Sequence, residues 1–199
     1  MTTNPSFASV DELLAVLRSR SGRLPPPSAG GPPAERVSAL DHHLQCAHQL
    51  RLEHPEDPEL QVAGLVHDVG HVLAPGAEAG HGRIGAHAVC ALLGKRVARL
   101  VELHVPAKRY LTAIDPDYRR RLSPASTATL IAQGGTMDPD EVAAFGTDPD
   151  ASAALVLRSA DEAAKVPGLA TPDLEAWVPV LEAVAAEAGS RPASPSSHQ

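Results

Sequence analysis

Nine of the ten histidines of this 199-residue chain fall between His42 and His104. Histidine is the commonest protein metal ligand and the side chain that exchanges protons near neutral pH. At the centre of the cluster lies Ala63-Gly64-Leu65-Val66-His67-Asp68-Val69-Gly70-His71, an apolar run that carries an adjacent His-Asp pair. An unpaired carboxylate buried in such a run would be costly. A metal ion removes that cost, because it needs an anionic oxygen and a neutral imidazole together. A continuous helix over 58–73 would put His71 on the face of His67, at i+4. It would turn Asp68 about 100° away from His67. Both could still reach one metal if the Asp is long-reaching, or the Asp could bridge to a second. The bland alternative is a surface His-Asp dipeptide; the apolar flanks and the other histidines weigh against it.

The elements that must position these residues read as helices. Ser9 followed by Glu12 is a capping box that opens a helix over 9–20. Residues 35–53 carry Val37, Leu40, Leu44 and Ala47 at helical spacing. Asp57-Pro58, Asp115-Pro116, Ser123-Pro124, Asp138-Pro139, Asp148-Pro149 and Thr171-Pro172 each join an N-cap residue to a Pro at the first helical position. Each of these pairs predicts a helix start. Gly134-Gly135 and Gly168 suit helix ends. No β-branched or aromatic alternation signals a strand. The expected fold class is all-α, with eight to ten helices, short connections and no internal repeat. Residues 1–34 read as an N-terminal helix and a flexible Pro/Gly-rich loop, 35–188 as the main helical domain, and 189–199 as a disordered tail.

Composition excludes several functions. A 43% hydrophobic content can build the core of one domain. The net charge of −7 and the lack of a basic stripe argue against nucleic acid as a partner. No apolar run approaches the roughly 20 residues of a membrane span. The N-terminus has no basic-then-apolar leader, so a cytoplasmic location is expected. Cys46 and Cys90 lack both number and spacing for a disulfide framework and read as reduced core thiols. Only Lys95, Lys108 and Lys165 break an otherwise all-Arg set of 17 basic residues.

The His67-Asp68 segment resembles the HD-domain superfamily, all-helical proteins built around one or two divalent metals. Leu40-Asp41-His42-His43-Leu44-Gln45-Cys46-Ala47 supplies the upstream His of that pattern, and Asp161-Glu162-Ala163-Ala164-Lys165-Val166 the distal Asp. The stretches LHVPAKRYL (103–111), RLSPAS (121–126), AQGGTM (132–137) and DEAAKVPG (161–168) narrow the likeness. Together they are similar to the HD-domain mixed-valent diiron oxygenases that cleave phosphonates, over roughly residues 35–170. The fold implied is an HD-domain helical bundle around a dinuclear metal site, with two iron ions, Fe(II)/Fe(III), and O2 as co-substrate.

Carried over by motif, His42, His67, Asp68 and Asp161 would hold one iron. His81 and His104 would hold the second, with Asp68 bridging. The spacing to LQCA favours His42 over His43, which is left as a solvated neighbour. His81 fits the family's H-x-x-x-G-A better than His87 does. His48, His54 and His198 are expected at the surface. Lys108, four residues after His104, would meet an anionic substrate. Ser126, Thr129 and Gln133 share a helix face, and in the family this region binds phosphonate oxygens; a plain polar face is the alternative. The resemblance makes His71 a substrate contact, with a supporting role behind the metals as the other reading. Asp68, His71 and Lys108 would carry the catalysis. Arg109 and Tyr110 would anchor a loop, and Lys165 would pair with Asp161 or the helix end. The family also carries Tyr-x-x-Glu before the first His. Glu35 matches the Glu, a substrate contact, while Pro32 stands in the Tyr place.

The expected activity is therefore a diiron dioxygenase of organophosphonate catabolism that cleaves the C–P bond of a small 1-hydroxyphosphonate and releases phosphate. A metal-dependent phosphohydrolase acting on a nucleotide or phosphoester is the first alternative, because the same ligands can activate water. A phosphonate-binding protein without turnover is the second.

Overall fold

A computed structural model describes residues 5–19 and 37–190. Pro32, Glu35 and His198 lie outside them, as does nearly all of the expected loop and tail. Helices α1 (Val10–Arg18), α2 (Ala39–Glu53), α3 (Pro58–Val66), α4 (Val69–Leu73), α5 (His81–Ile114), α6 (Pro116–Arg121), α7 (Pro124–Ala132), α8 (Pro139–Gly146), α9 (Ala151–Ala163) and α10 (Val178–Ser190) follow in order. A 3₁₀ turn, Leu174–Trp177, precedes α10. The described residues include no strand, so the all-α expectation holds. None of their helices is long and apolar enough to cross a membrane.

Four of the six N-cap–Pro pairs open helices where expected: α3, α6, α7 and α8. Asp138 adds a full capping box with Glu141. The other two are displaced. Asp148 accepts from the Asp150 backbone N–H, and α9 starts only at Ala151. After Thr171-Pro172 it is Asp173 that caps, and it opens the 3₁₀ turn. In both places a second Asp, nearer the apolar run, takes the N-cap position, and Asp173 alone of the two makes a side-chain cap, to the Ala176 N–H. Gly134 and Gly135 end α7 at φ 100° and 74°, whereas Gly168 sits in a turn five residues past α9. α10 runs through residue 190, so 189 and 190 belong to that helix.

The helix expected over 58–73 is broken. α3 stops at Val66, and Asp68, at φ −97° and ψ 9°, caps the short α4. His67 and Asp68 thus sit at a corner, where neighbouring side chains can diverge further than on one helix.

A second feature had no sequence expectation. Along a straight helix the 23-position separation of His81 and His104 would span about 34 Å, yet their ring nitrogens are 2.9 Å apart. Gly94, at φ 88° and ψ 169°, folds α5 back into two limbs, 81–93 and 95–114. That backbone region is essentially closed to residues with a Cβ. The limbs then lie close: a Cβ on Gly82 would come within 3.3 Å of the Glu102 carbonyl. Pro106, in the second limb, leaves that same carbonyl without its helical N–H donor.

α2 packs on α3 and α9, while α3, α4, α9 and α10 pack on α5. The main core joins these through Leu44, Leu50, Leu65, Val66, Leu93, Leu100, Leu157 and Trp177. A smaller cluster of Leu103, Ala107, Phe145 and Ala154 seats α8 beside the second limb of α5. Arg109 Nε donates to the Gly135 carbonyl and its guanidinium pairs with Glu141, so Arg109 anchors the loop after α7 as expected. Tyr110 packs on Phe145.

Gly94→Ala is expected to destabilise the protein by about 1–3 kcal/mol, the cost of forcing a Cβ into that backbone region. A Cβ there would also press on Ala188 at 3.2 Å. Thermal denaturation checks this; an unchanged melting temperature would contradict the reversal.

Candidate metal centre

The six residues singled out as ligands are drawn together from five elements and connections. His42 lies on α2, His67 caps α3, Asp68 caps α4, His81 opens α5, His104 lies on its second limb, and Asp161 on α9. They form two groups of three, His42/His67/Asp161 and Asp68/His81/His104. In the first, His42 Nε2 stands 3.1 Å from His67 Nε2 and 3.3 Å from Asp161 Oδ1. In the second, Asp68 Oδ1 is 3.4 Å from both His81 Nε2 and His104 Nε2. The other oxygen of Asp68, Oδ2, lies 3.6 Å from His67 Nε2 and 3.8 Å from His42 Nε2. One carboxylate therefore faces both groups.

The protonation of the rings follows from their outer partners. Nδ1 of His42, His67, His81 and His104 meets the backbone carbonyls of Ala164, Gly64, Glu78 and Val101 at 2.8, 2.8, 2.8 and 2.6 Å. A carbonyl can only accept, so Nδ1 carries the hydrogen and donates it. All four Nε2 atoms then present lone pairs inward. Two lone pairs 2.9 or 3.1 Å apart repel unless a cation lies between them. These donors fit a pair of divalent transition metals, with imidazole and carboxylate in the mixture iron accepts.

The surrounding charges agree. Burial alone would raise the Asp68 and Asp161 pKa values, but the facing imidazoles, and Arg158 beside Asp161, hold both well below the usual carboxylate range. Burial depresses His42 and His81, yet the carboxylates outweigh it and lift both above the ordinary imidazole value. The site thus favours positive charge at its centre. His67, fully enclosed, is pushed down to about 4, mainly by burial.

A cavity of about 410 Å³ opens beside these donors. Lys108 lines it too, with Ser126, Thr129 and Gln133, the three residues expected to share a helix face. Lys108, almost wholly buried, donates to Thr129 Oγ1 at 2.6 Å and to Gln133 Oε1 at 3.2 Å. His71 lines the same space, stacked on the His81 ring at 3.8 Å with its Nε2 3.9 Å from Asp68 Oδ1.

Several residues differ from expectation. His43 is not solvated: it is buried, lines the cavity, and its ring lies 5.6 Å from that of His67. Burial and the neighbouring imidazoles push its pKa down to about 3. His48 and His54 are half-buried rather than exposed, because α2 leans on its neighbours, whereas His87 is exposed. Lys165 reaches Glu162 Oε1, in the last turn of α9, at 2.8 Å and Ser126 Oγ at 3.1 Å, so of its two expected partners it meets the helix end. Arg158, absent from the sequence reading, pairs with Asp161. It is buried, pairs with Asp161 Oδ2 and Glu162, and donates from Nε to Tyr118 Oη at 2.7 Å. An Arg three residues before a candidate ligand Asp on one helix was the available signal. Cys46 is buried and Cys90 half-buried, both free thiols.

Fold and site together define an HD-type helical metalloenzyme, and comparison with known proteins narrows the class. Residues 30–85 match the family model described as myo-inositol oxygenase. The chain is 38% identical over 152 residues to a hydroxymethylphosphonate dioxygenase of Gimesia maris, covering 72% of this chain and 75% of that protein. It is 33% identical over 156 residues to a glycine-betaine-forming [1-hydroxy-2-(trimethylamino)ethyl]phosphonate dioxygenase of Leisingera caerulea, covering 74% and 79%. It is 32% identical over 142 residues to an uncharacterized protein, L432, of Acanthamoeba polyphaga mimivirus, covering 66% and 64%. The chain belongs to the HD-domain family of phosphonate dioxygenases, and it is an enzyme of the dioxygenase class.

The division of donors predicts unequal losses. Asp161→Ala should leave about one bound metal per chain, and Asp68→Ala less than one. Plasma emission analysis of protein reconstituted with ferrous iron checks this; equal content in the two variants would contradict the shared carboxylate.

Proposed function

We propose that the protein cleaves the C–P bond of a small 1-hydroxyphosphonate with O2, giving phosphate and a carboxylic acid. The observation that carries this reading is the meeting of two kinds of groups in the lining of one cavity. Converging metal donors line it together with a buried ammonium and its hydroxyl and amide partners. One O2 balances the reaction without an added reductant. Phosphorus leaves as phosphate, and the carbinol carbon ends as a carboxyl group. The name of the Leisingera relative, which includes formation of glycine betaine, a carboxylate, supports that outcome.

His42, His67, Asp68 and Asp161 would hold one iron, and His81 and His104, with Asp68, the second. Two bound irons would supply activation of O2 and Lewis-acid binding of the substrate's hydroxyl and phosphonate oxygens. The chain's own residues do the rest. Lys108, with Ser126, Thr129 and Gln133, orients the phosphonate by charge-assisted hydrogen bonds. Its Thr129 and Gln133 contacts hold the ammonium in place before substrate arrives. His71, fixed by stacking on His81, stands where it can donate a hydrogen bond to substrate or take a proton from it. Val37, Val72, Val105 and Ala125 line the same cavity and exclude water from the reacting carbon. Glu35 is assigned to the substrate's outer substituent from the sequence alone. We take the enzyme to act in the cytoplasm.

The test is phosphate release from hydroxymethylphosphonate and from 2-amino-1-hydroxyethylphosphonate, with and without air, by iron-loaded protein. Release that needs O2 is expected. Oxygen-independent release from phosphoesters would replace this reading with a hydrolase, and tight binding without turnover would replace it with a binding protein.

Lys108 gives a pH signature. Burial, followed by the nearby Arg158 charge, lowers its pKa to about 7. The ammonium that attracts the phosphonate is present below that value and is lost as pH rises through it. The kcat/KM for substrate should therefore fall above about pH 7. Lys108→Arg should move the fall to higher pH, and Lys108→Ala should lower kcat/KM about 10–100-fold, the worth of one charged hydrogen bond. A flat profile in the wild type would contradict the assignment.

A further inference from the structure

We propose that Gln45 is a positioning residue for the metal ligand His42, acting through the chain that follows α9. The inference rests on the metal centre described above.

His42 is oriented by the Ala164 carbonyl, which accepts from its Nδ1 at 2.8 Å. That carbonyl is not part of a packed helix. α9 ends at Ala163, and Ala164 has left helical geometry at φ −76° and ψ 49°. Residues 166–170 are all exposed, and the Val166 side chain is 47% exposed. Ala164 itself is buried in the core, but beyond it apolar packing does not hold the segment.

Gln45 does. It lies three residues after His42, on the same side of α2, and is 3% exposed. Its Nε2 donates to the Val166 carbonyl at 2.8 Å, and its Oε1 accepts from the Val166 N–H at 3.0 Å. The carboxamide thus pairs with both polar groups of one backbone residue, as a neighbouring strand would. This two-point clamp fixes Val166 and, two residues upstream, the Ala164 carbonyl. The carbonyl in turn sets which His42 nitrogen carries the hydrogen and where Nε2 aims. His42 and Gln45 form one unit: the first holds the metal, and the second holds what holds the first. A side chain that is donor and acceptor at once is required. Glu cannot donate, Lys and Arg cannot accept, and Leu can do neither.

The test is anaerobic calorimetric titration of the full-length protein with ferrous iron, beside thermal melts of the metal-free form. Wild type should show two sites per chain. Gln45→Leu should weaken one of them about 10–100-fold, the usual cost of losing a group that orients a ligand, and leave the other unchanged. A role in stability alone would lower the melting temperature and spare both affinities. Gln45→Glu keeps the acceptor for the Val166 N–H and should weaken the same site by less; it carries the test if the Leu variant does not fold. Two sites of wild-type affinity in either folded variant would overturn the clamp while the metal centre stands. Failure of the wild type to bind iron would overturn the centre and the clamp with it.

Discussion

Four imidazole lone pairs and two carboxylates cannot face one another across about 3 Å without positive charge between them. That constraint governs the structure. Each ring's outer nitrogen is committed to a backbone carbonyl, so no ring can turn to relieve the crowding by donating inward. The carbonyls come from four places: the chain after α9, the last turn of α3, the loop before α5, and the second limb of α5. Bringing those four together is what the bundle is for. The cost of the arrangement is carried by the core around it, where Leu65, Val66, Leu93, Leu100 and Leu157 are fully buried.

The break between α3 and α4 resolves a conflict that a continuous helix would leave. His67 and Asp68 are adjacent, yet one belongs to each group of donors. The separation of the two groups is thereby tied to the width of a single carboxylate, whose two oxygens face opposite ways. The lining of the cavity also carries positive charge. Lys108, Arg158 and Lys165 line it together, and Glu162 lies between the last two, pairing with both. That shared anion lets two cations stand in this lining without expelling each other, and it links Ser126, through Lys165, to the partner of Asp161.

Local signals were readable in the sequence, and non-local ones were not. Asp-Pro and Ser-Pro starts act within one helical turn, so α3, α6, α7 and α8 were legible. The order His42, His67-Asp68, His81, His104, Asp161 was legible as a motif, and the structure brings those six together. Ser126, Thr129 and Gln133 were readable as one face because i, i+3 and i+4 are neighbours on any helix. His43 was misplaced at the surface, since nothing in its own turn says that His67, at the end of α3, packs beside it. Gln45 escaped notice because its partner is set by packing, 121 residues away; Arg158 had a local signal in Asp161, but its bond to Tyr118 spans 40 residues. Gly94 drew no expectation, because its φ is a product of two limbs packing together.

That glycine makes the two halves of the centre unlike in origin. His81 and His104 stand 23 positions apart and meet through a hairpin that any collapsing chain can close locally. Asp68, the third donor of that half, stands just upstream of the same hairpin. His42 depends on a carbonyl 122 residues away, a contact that requires α9 to have crossed α2 and the whole bundle to be shut. One half of the centre is thus a property of a short stretch of polypeptide, and the other of the finished protein. A chain still folding can present one complete set of donors well before it presents two.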